Sequence, residues 1–144
     1  MLEDYKSALR AGQRAYRARI ARGQSPYLAV LDDVLKGVDI VAQEPLGLVE
    51  IPMSGITGIT TSGRQRAFST GFMPLLEPDT EFADKWVTLC EAHLGSEGIR
   101  DPVRCFEYLG HFYVQEGNKR VSVLKFFDAP VVTASVLRIL PKWQ

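Results

Sequence analysis

Cysteine is scarce in this chain of 144 residues, which contains only Cys90 and Cys105 and no C-x-x-C pair. Two cysteines are too few for a disulfide framework or a cysteine-based zinc site. Apolar runs are short as well: none approaches the roughly 18 residues of a membrane-spanning helix. The start of the chain, Met1 to Lys6, lacks the basic-then-apolar pattern of a secretory signal. We therefore expect a cytoplasmic protein with no membrane partner.

Net charge is absent too, because 17 basic residues balance 17 acidic ones. The overall charge therefore does not indicate a nucleic-acid or membrane partner, and only a local patch of charge could bind one. No P-loop, nucleophile elbow or H-E-x-x-H motif occurs. His93 falls on the apolar face of a predicted helix, and His111 has no partner at metal-ligand spacing, so no metal site is predicted.

The elements that the sequence does contain alternate between helical and strand patterns. Apolar spacing predicts a helix over residues 2–21, and Gly23 and Pro26 supply its stop signals. The order of elements favours an α+β fold over a doubly wound sheet. The other predicted elements are a short helix at 27–35, a strand at 48–51, a long loop over 54–71, a helix capped by Asp79 and ended by Gly95, strands at 103–108 and 112–115, a helix at 119–127 and a strand at 131–140.

The segment from Glu116 to Arg120 carries the clearest indication of chemistry. It leads a strand directly into a helix, whose first turn has unpaired backbone N–H groups and partial positive charge. Gly117 would let a ligand approach the backbone, and Asn118 would cap the helix. Lys119 and Arg120 oppose the helix dipole unless an anion, which we expect to be phosphate, lies between them. The alternative, a capped helix with two solvated cations beside Glu116, fits the spacing equally well.

Two boxes within residues 98–127 carry a resemblance to a known family. The first is Gly98-Ile99-Arg100-Asp101-Pro102-Val103, and the second, beyond a hairpin, is Glu116-Gly117-Asn118-Lys119-Arg120 with the helix that follows. They resemble the core of ParB-type N-terminal domains, the "ParB-like nuclease" domains of the ParB/sulfiredoxin-like superfamily. That family has a G-x-x-x-P-[IV] box, a hairpin and a [DE]-G-x-[RKH]-R-x-x-A-x-[RK] turn and helix.

The resemblance implies a bacterial α+β domain with a small mixed sheet and flanking helices. That domain would span residues 46–144, follow an N-terminal helical extension at 1–45, and belong to a longer protein. Members of the superfamily bind CTP or ATP, and others act as small-molecule kinases or nucleases. Sulfiredoxin activity is excluded, because Asn118 stands where that activity needs a cysteine. Ser122 and Val123 stand near a position where the family often has alanine.

Carried over residue by residue, the resemblance assigns a nucleotide- or phosphate-binding site. Glu116 takes the acidic position at the strand end and is the candidate catalytic acid or base. The ligand would be a nucleoside triphosphate or another phosphate, with Mg²⁺ as an optional companion. The candidate binding residues are Gly117, Asn118, Lys119, Arg120, Gly98, Arg100 and Arg64.

Three functions remain open after this assignment. The leading hypothesis is a regulatory or DNA-associated module that binds a nucleotide or phosphate without strong turnover, because only one candidate acid can be named. The second is a nucleotide-dependent phosphotransferase or nuclease of the same superfamily. The third is a protein-interaction scaffold that has lost ligand binding. Whether the chain is an enzyme, and whether it forms oligomers, stays open.

The first helix carries a basic stripe, formed by Lys6, Arg10, Arg14 and Arg17. Such a stripe can bind nucleic acid, and Tyr16 would add a stacking surface. A charge run on a helix is more often a solvated face, which is the interpretation we favour.

Overall fold

The computed structural model describes residues 1–142, and every structural statement below refers to them. Residues 143 and 144, the end of the expected domain, lie outside this range. The elements are α1 (Leu2–Ala21), β1 (Ala29–Val30), α2 (Leu31–Val34), β2 (Ile40–Pro52), β3 (Ile56–Ile59), α3 (Glu81–Leu94), β4 (Val103–Tyr108), β5 (His111–Glu116), α4 (Asn118–Phe126) and β6 (Val131–Pro141). Two short 3-10 segments, Met53–Gly55 and Ser62–Ala67, flank β3.

The strands form one six-stranded mixed sheet in the order β1-β3-β5-β4-β6-β2. β3 pairs parallel to both β1 and β5, and β4 pairs parallel to β6. β4 and β5 form an antiparallel hairpin whose turn residues, Leu109 and Gly110, both have positive φ. The prediction of an α+β fold with a small mixed sheet, flanking helices and an N-terminal helix is confirmed.

Trp86 on α3 is the centre of the packing between the helices. Its ring is fully buried and meets Tyr5 of α1 and Phe126 of α4 edge to face, with centroid distances of 5.3 and 5.6 Å. The indole N–H donates to the hydroxyl of Ser122, also fully buried, at 2.9 Å. Edge-to-face aromatic pairs add stability beyond the apolar area they bury. Ser122 thus supplies the acceptor that a buried indole needs.

Helix α1 is fastened to the rest of the fold by close contacts. The Tyr5 hydroxyl donates to the Leu76 carbonyl at 2.6 Å. A Cβ at Gly12 would lie only 2.1 Å from the Pro74 carbonyl oxygen, so no other residue fits there without a shift of backbone. The expected boundary after residue 45 falls inside β2, whose pairing with β6 extends from Ile40 to Pro52 and has register shifts between Ile40 and Ala42 and between Pro45 and Gly47.

Three regions differ from the sequence prediction. The helix expected at 27–35 is instead β1 followed by the four-residue α2. The loop expected over 54–71 contains the strand β3. Gly58 lies within this strand and allows β1 to pack closely, because a Cβ at Gly58 would lie 2.0 Å from the Ala29 carbonyl oxygen of β1. The strand expected at 48–51 is part of the longer β2, since its pairing with β6 continues through Pro45 and Gly47 by way of a register shift.

The amino-terminal cap of α3 also differs by one residue. Asp79 was expected to cap this helix, but the N-cap is Thr80, whose hydroxyl accepts a hydrogen bond from the Ala83 amide at 3.2 Å. Within residues 1–142, no helix combines the length and the apolar character that crossing a membrane requires.

The Trp86–Ser122 contact gives a test of the core. Ser122→Ala should destabilise the protein by about 1–3 kcal/mol, because the buried indole N–H would lose its acceptor. Trp86→Phe combined with Ser122→Ala should cost less than the sum of the single changes, since the first removes the donor. Urea denaturation of the four proteins measures this coupling, and additive losses would contradict the contact.

Candidate functional site

The parallel pairing of β3 with β5 positions the residues around Glu116 to Arg120. Ile59 lies opposite Val114 in this ladder, and the Thr60 amide donates to the Val114 carbonyl at 3.1 Å. The carboxyl ends of both strands therefore meet at the same edge of the sheet, where ligands commonly bind in open α/β sheets. The turn after β3 and the start of α4 after β5 are brought together there.

Gly117 holds a conformation that disfavours any other residue. Its φ is +107°, and it occupies the N-cap position of α4 without a side-chain cap. A Cβ at this position would lie 2.7 Å from Cγ1 of the buried Val103 and 3.2 Å from the Arg120 guanidinium carbon. This packing and the positive φ both favour glycine here, and the expected approach of a ligand to the Gly117 backbone stays a prediction.

Asn118 does not act as the expected helix cap, because α4 begins with it and Gly117 precedes it. Its Oδ1 is buried and has no hydrogen-bond partner within residues 1–142. A buried polar atom without a partner costs about 1–3 kcal/mol, so this position favours the binding of a hydrogen-bond donor such as a water molecule or a ligand. A rotation of the amide by half a turn would present Nδ2 instead, which is a donor.

A cavity of about 550 Å³ lies at the start of α4. We call it the α4 cavity. Its volume is in the range of small-ligand sites. Four basic side chains from three elements line it, and Glu116 is its one carboxylate; the lining residues are Arg64, Lys85, Thr88, Leu89, Gln115, Glu116, Gly117, Asn118, Lys119 and Arg120. A smaller cavity of about 170 Å³ shares Arg64, Gln115 and Asn118 with it and adds Thr60, Thr61 and Gly63.

The basic groups of the α4 cavity oppose one another electrostatically. Burial lowers the pKa of Lys119, and the charges of Arg64 and Lys85 lower it further. Its Nζ lies 5.2 Å from the centre of the Phe82 ring, a cation–π contact that offsets part of this cost. A lowered lysine pKa means that the fold disfavours the charged form, and a nearby anion would reverse that effect.

The Arg120 side chain is hydrogen-bonded to the backbone of the first box, residues 98–103. Its Nη1 donates to the carbonyls of Asp101 and Pro102 at 3.0 and 2.8 Å. Through Nη1, then, Arg120 ties the loop before β4 to the start of α4, a role that sequence reasoning did not foresee. Gly98 and Arg100, expected beside the phosphate, do not line the cavity, and the Arg100 Nε bonds the Glu97 carbonyl at 3.4 Å.

Glu116, the candidate catalytic residue, lines the cavity but is 64% exposed at its side chain. Its nearest basic partner is Arg104 on the neighbouring strand, at 3.9 Å. The described residues form no group of three or more His, Cys, Asp or Glu able to hold a metal ion. One carboxylate among four cations does not fit Mg²⁺, which prefers oxygen ligands.

Sequence reasoning missed several residues of this site. Lys85 and Thr88 reach the cavity from α3, and Thr60 and Thr61 reach its neighbour from the turn after β3. The turn could have been found only by identifying β3, whose strand pattern is short and interrupted by Gly58. Nothing local marks Lys85, which also pairs with Glu81 at 3.0 Å.

The basic stripe of α1 is not part of the α4 cavity. Lys6 pairs with Glu3 at 3.8 Å, and Arg10 donates to the Ser7 hydroxyl at 3.0 Å. Arg14 and Arg17 are both exposed, and Arg17 lines a different cavity beside Tyr16.

Comparisons with known proteins add little to this geometry. No family model matches the sequence, and no curated protein matches it. Among solved structures, the chain is similar to the crystal structure of sulfiredoxin from Arabidopsis thaliana, with 18% identity and a TM-score of 0.42. That likeness covers 62% of this chain and 82% of the other. Nothing about ligand, partner or reaction follows from it, and the ParB/sulfiredoxin-like family remains a resemblance.

The Arg120 contacts predict a structural effect. Arg120→Ala should lower the free energy of unfolding by about 1–2 kcal/mol, because it removes hydrogen bonds from a charged donor to two carbonyls. Arg100→Ala is the matched control and should change stability by less than about 0.5 kcal/mol, as expected for an exposed side chain. Urea denaturation compares the two, and equal stabilities would contradict the role of Arg120.

The two cysteines predict how stability depends on pH. Burial raises the pKa of Cys105 to about 12, and burial with the nearby Asp4 raises that of Cys90 to about 11. In the unfolded chain both thiols ionise near pH 8.5, so stability should fall as pH rises above about 8.5, by up to about 1.4 kcal/mol per pH unit for each thiol.

Thermal denaturation between pH 7 and 10 measures this fall. A variant with Cys90→Ala and Cys105→Val should show a shallower decline, because it has no thiol to ionise. An equally steep decline in that variant would assign the effect to other groups.

Proposed function

We propose that the α4 cavity binds a phosphate group and that this domain is a nucleotide- or phosphate-binding module without strong turnover of its own. The observation that carries this proposal is the convergence of Arg64, Lys85 and Lys119 from three separate elements on the start of one helix. An isolated helix gains nothing from cations at this end, because they oppose its dipole. An anion between them removes that conflict.

The form of the ligand follows from the shape and polarity of the cavity. Backbone N–H groups at the start of α4, together with the basic side chains, suit the oxygens of a phosphate. The volume of about 550 Å³ exceeds what one phosphate needs and leaves room for a nucleoside. Leu89 and the stem of Lys85 supply apolar surface beside the charged groups.

The absence of strong turnover in this proposal is supported by the surroundings of Glu116. Catalytic acids and bases are usually desolvated or held by a specific partner, which tunes their proton affinity. Glu116 is largely exposed, and Arg104 at 3.9 Å is its only ion-pair partner within residues 1–142. A binding module is therefore favoured over a phosphotransferase or nuclease.

Calorimetric titration with inorganic phosphate, pyrophosphate, CTP and ATP tests the proposal. Arg64→Gln should weaken binding by about tenfold, which corresponds to about 1.4 kcal/mol. Arg100→Gln is the control: it lies in the first box but outside the cavity, so it should bind like the wild type. If the wild type binds none of the four ligands, or if Arg64→Gln binds equally well, the proposal fails.

Lys119→Met should have opposite effects on stability and on binding. Removing a charge that the fold disfavours should raise the stability of the ligand-free protein by a few tenths of a kcal/mol at low salt. The same change should weaken phosphate binding, because it removes one of the converging cations. Thermal melts without ligand and titrations with pyrophosphate measure the two effects. Loss of stability without loss of affinity would show that Lys119 serves packing alone.

A further inference from the structure

A second cavity, of about 400 Å³, lies between α1 and the 3-10 segment Ser62–Ala67. We call it the Tyr16–Tyr27 cavity. It shares no residue with the α4 cavity. Its lining combines aromatic rings, arginines and an amide: Gln13, Tyr16, Arg17, Tyr27, Arg66 and Leu75.

The aromatic groups of this cavity are already arranged against one another. The rings of Tyr16 and Tyr27 lie 5.9 Å apart at an interplanar angle of 63°. The guanidinium carbon of Arg66 lies 5.4 Å from the centre of the Tyr27 ring, and its Nη1 donates to the Tyr27 hydroxyl at 3.4 Å. This contact holds a flexible arginine beside the cavity and lowers the entropy lost when a ligand binds.

The charge of the Tyr16–Tyr27 cavity is uncompensated. Arg17 and Arg66 both line it, and no carboxylate does. Neither arginine forms a salt bridge within residues 1–142. Two cations beside two tyrosines suit a ligand that is both planar and anionic, because the rings provide stacking surface and the arginines bind negative charge.

We propose that the Tyr16–Tyr27 cavity is a second binding site, which takes a nucleobase together with its phosphate. The base would stack on the Tyr16–Tyr27–Arg66 group, the Gln13 amide would bond its polar edge, and Arg17 and Arg66 would bind the phosphate. This site does not depend on phosphate binding at the α4 cavity, since the two have no lining residue in common. Phosphate binding by Arg17 would be a function of the basic stripe on α1 beyond solvation of the helix surface.

A free mononucleotide and one unit of a single-stranded nucleic acid present the same chemistry to this cavity. The 3-10 segment places Arg66 here and Arg64, two residues earlier, at the α4 cavity. A single strand could therefore contact both cavities, whereas a mononucleotide fills one. Stacking on aromatic side chains tolerates any base, so no particular sequence is expected.

Protein-observed NMR and fluorescence anisotropy test the proposal on the full chain. UMP should shift the amide resonances of Tyr16, Tyr27 and Arg66, and inorganic phosphate should shift them far less. Tyr16→Leu should weaken UMP binding by about fivefold or more, in line with the loss of one stacking contact. Tyr16→Phe keeps the ring and should bind like the wild type. Arg14→Gln, an exposed change on the same helix outside the cavity, is the charge-matched control for Arg17→Gln, which should weaken binding.

A labelled single-stranded oligonucleotide separates the two sources of the ligand. If the oligonucleotide binds more tightly than UMP and Tyr16→Leu weakens both by the same factor, the ligand is a nucleic-acid strand. If the oligonucleotide and UMP bind with equal affinity, the ligand is a free nucleotide. Failure of UMP to shift the three amides, equal shifts by inorganic phosphate, or unchanged affinity in Tyr16→Leu would overturn the proposal. Shifts of the Asn118 and Lys119 amide resonances report binding at the α4 cavity. The two proposals are therefore tested separately, and one can fail without the other.

Discussion

The parallel pairing of β3 with β5 determines where the α4 cavity forms. A parallel pair places two carboxyl ends at one edge, so the turn after Ile59 and the helix that begins at Asn118 become neighbours. An antiparallel pairing would have put them at opposite ends of the sheet. The 3-10 segment that follows β3 then carries Arg64 to the start of α4. The position of Arg64 beside the basic residues of α3 and α4 therefore depends on this one pairing.

The fold supports the start of α4 from several sides while leaving its charge unbalanced. Gly117 packs against Val103, and Arg120 donates to two carbonyls of the loop before β4, so these contacts position the start of the helix. Lys119 is nevertheless held where burial and neighbouring charges disfavour its ionised form. Asn118 adds a buried oxygen that has no hydrogen-bond partner among residues 1–142. Natural proteins tolerate such costs mainly at functional sites, and here they coincide at the residues that begin one helix.

Sequence reasoning succeeded where structure is local and failed where distant segments decide it. The β4–β5 hairpin and helix α3 follow from alternating patterns, turn residues and stop signals, all within a few positions. The strand β3 was missed, because Gly58 reads as a loop signal until β1 is known to press against it. Lys85 could not be assigned, since a solvated helix lysine and a ligand-facing one look alike in sequence. Arg120 was expected to bind phosphate, and only the fold shows that its Nη1 holds two carbonyls.

The segment Ser62–Ala67 joins the two cavities, because Arg64 and Arg66 leave it toward different sites. A ligand that orders this segment through one arginine reduces the entropy lost when the other arginine is engaged. Any coupling of this kind must act equally in both directions, since binding free energies are linked reciprocally. The strength of the coupling depends on how mobile the segment is without ligand. Its inner end is anchored by the buried Ala67 and Phe68, while Gln65 and Arg66 donate to the Leu28 carbonyl and the Tyr27 hydroxyl, each at 3.4 Å. Any coupling between the two cavities would therefore act through the few residues from Ser62 to Arg66.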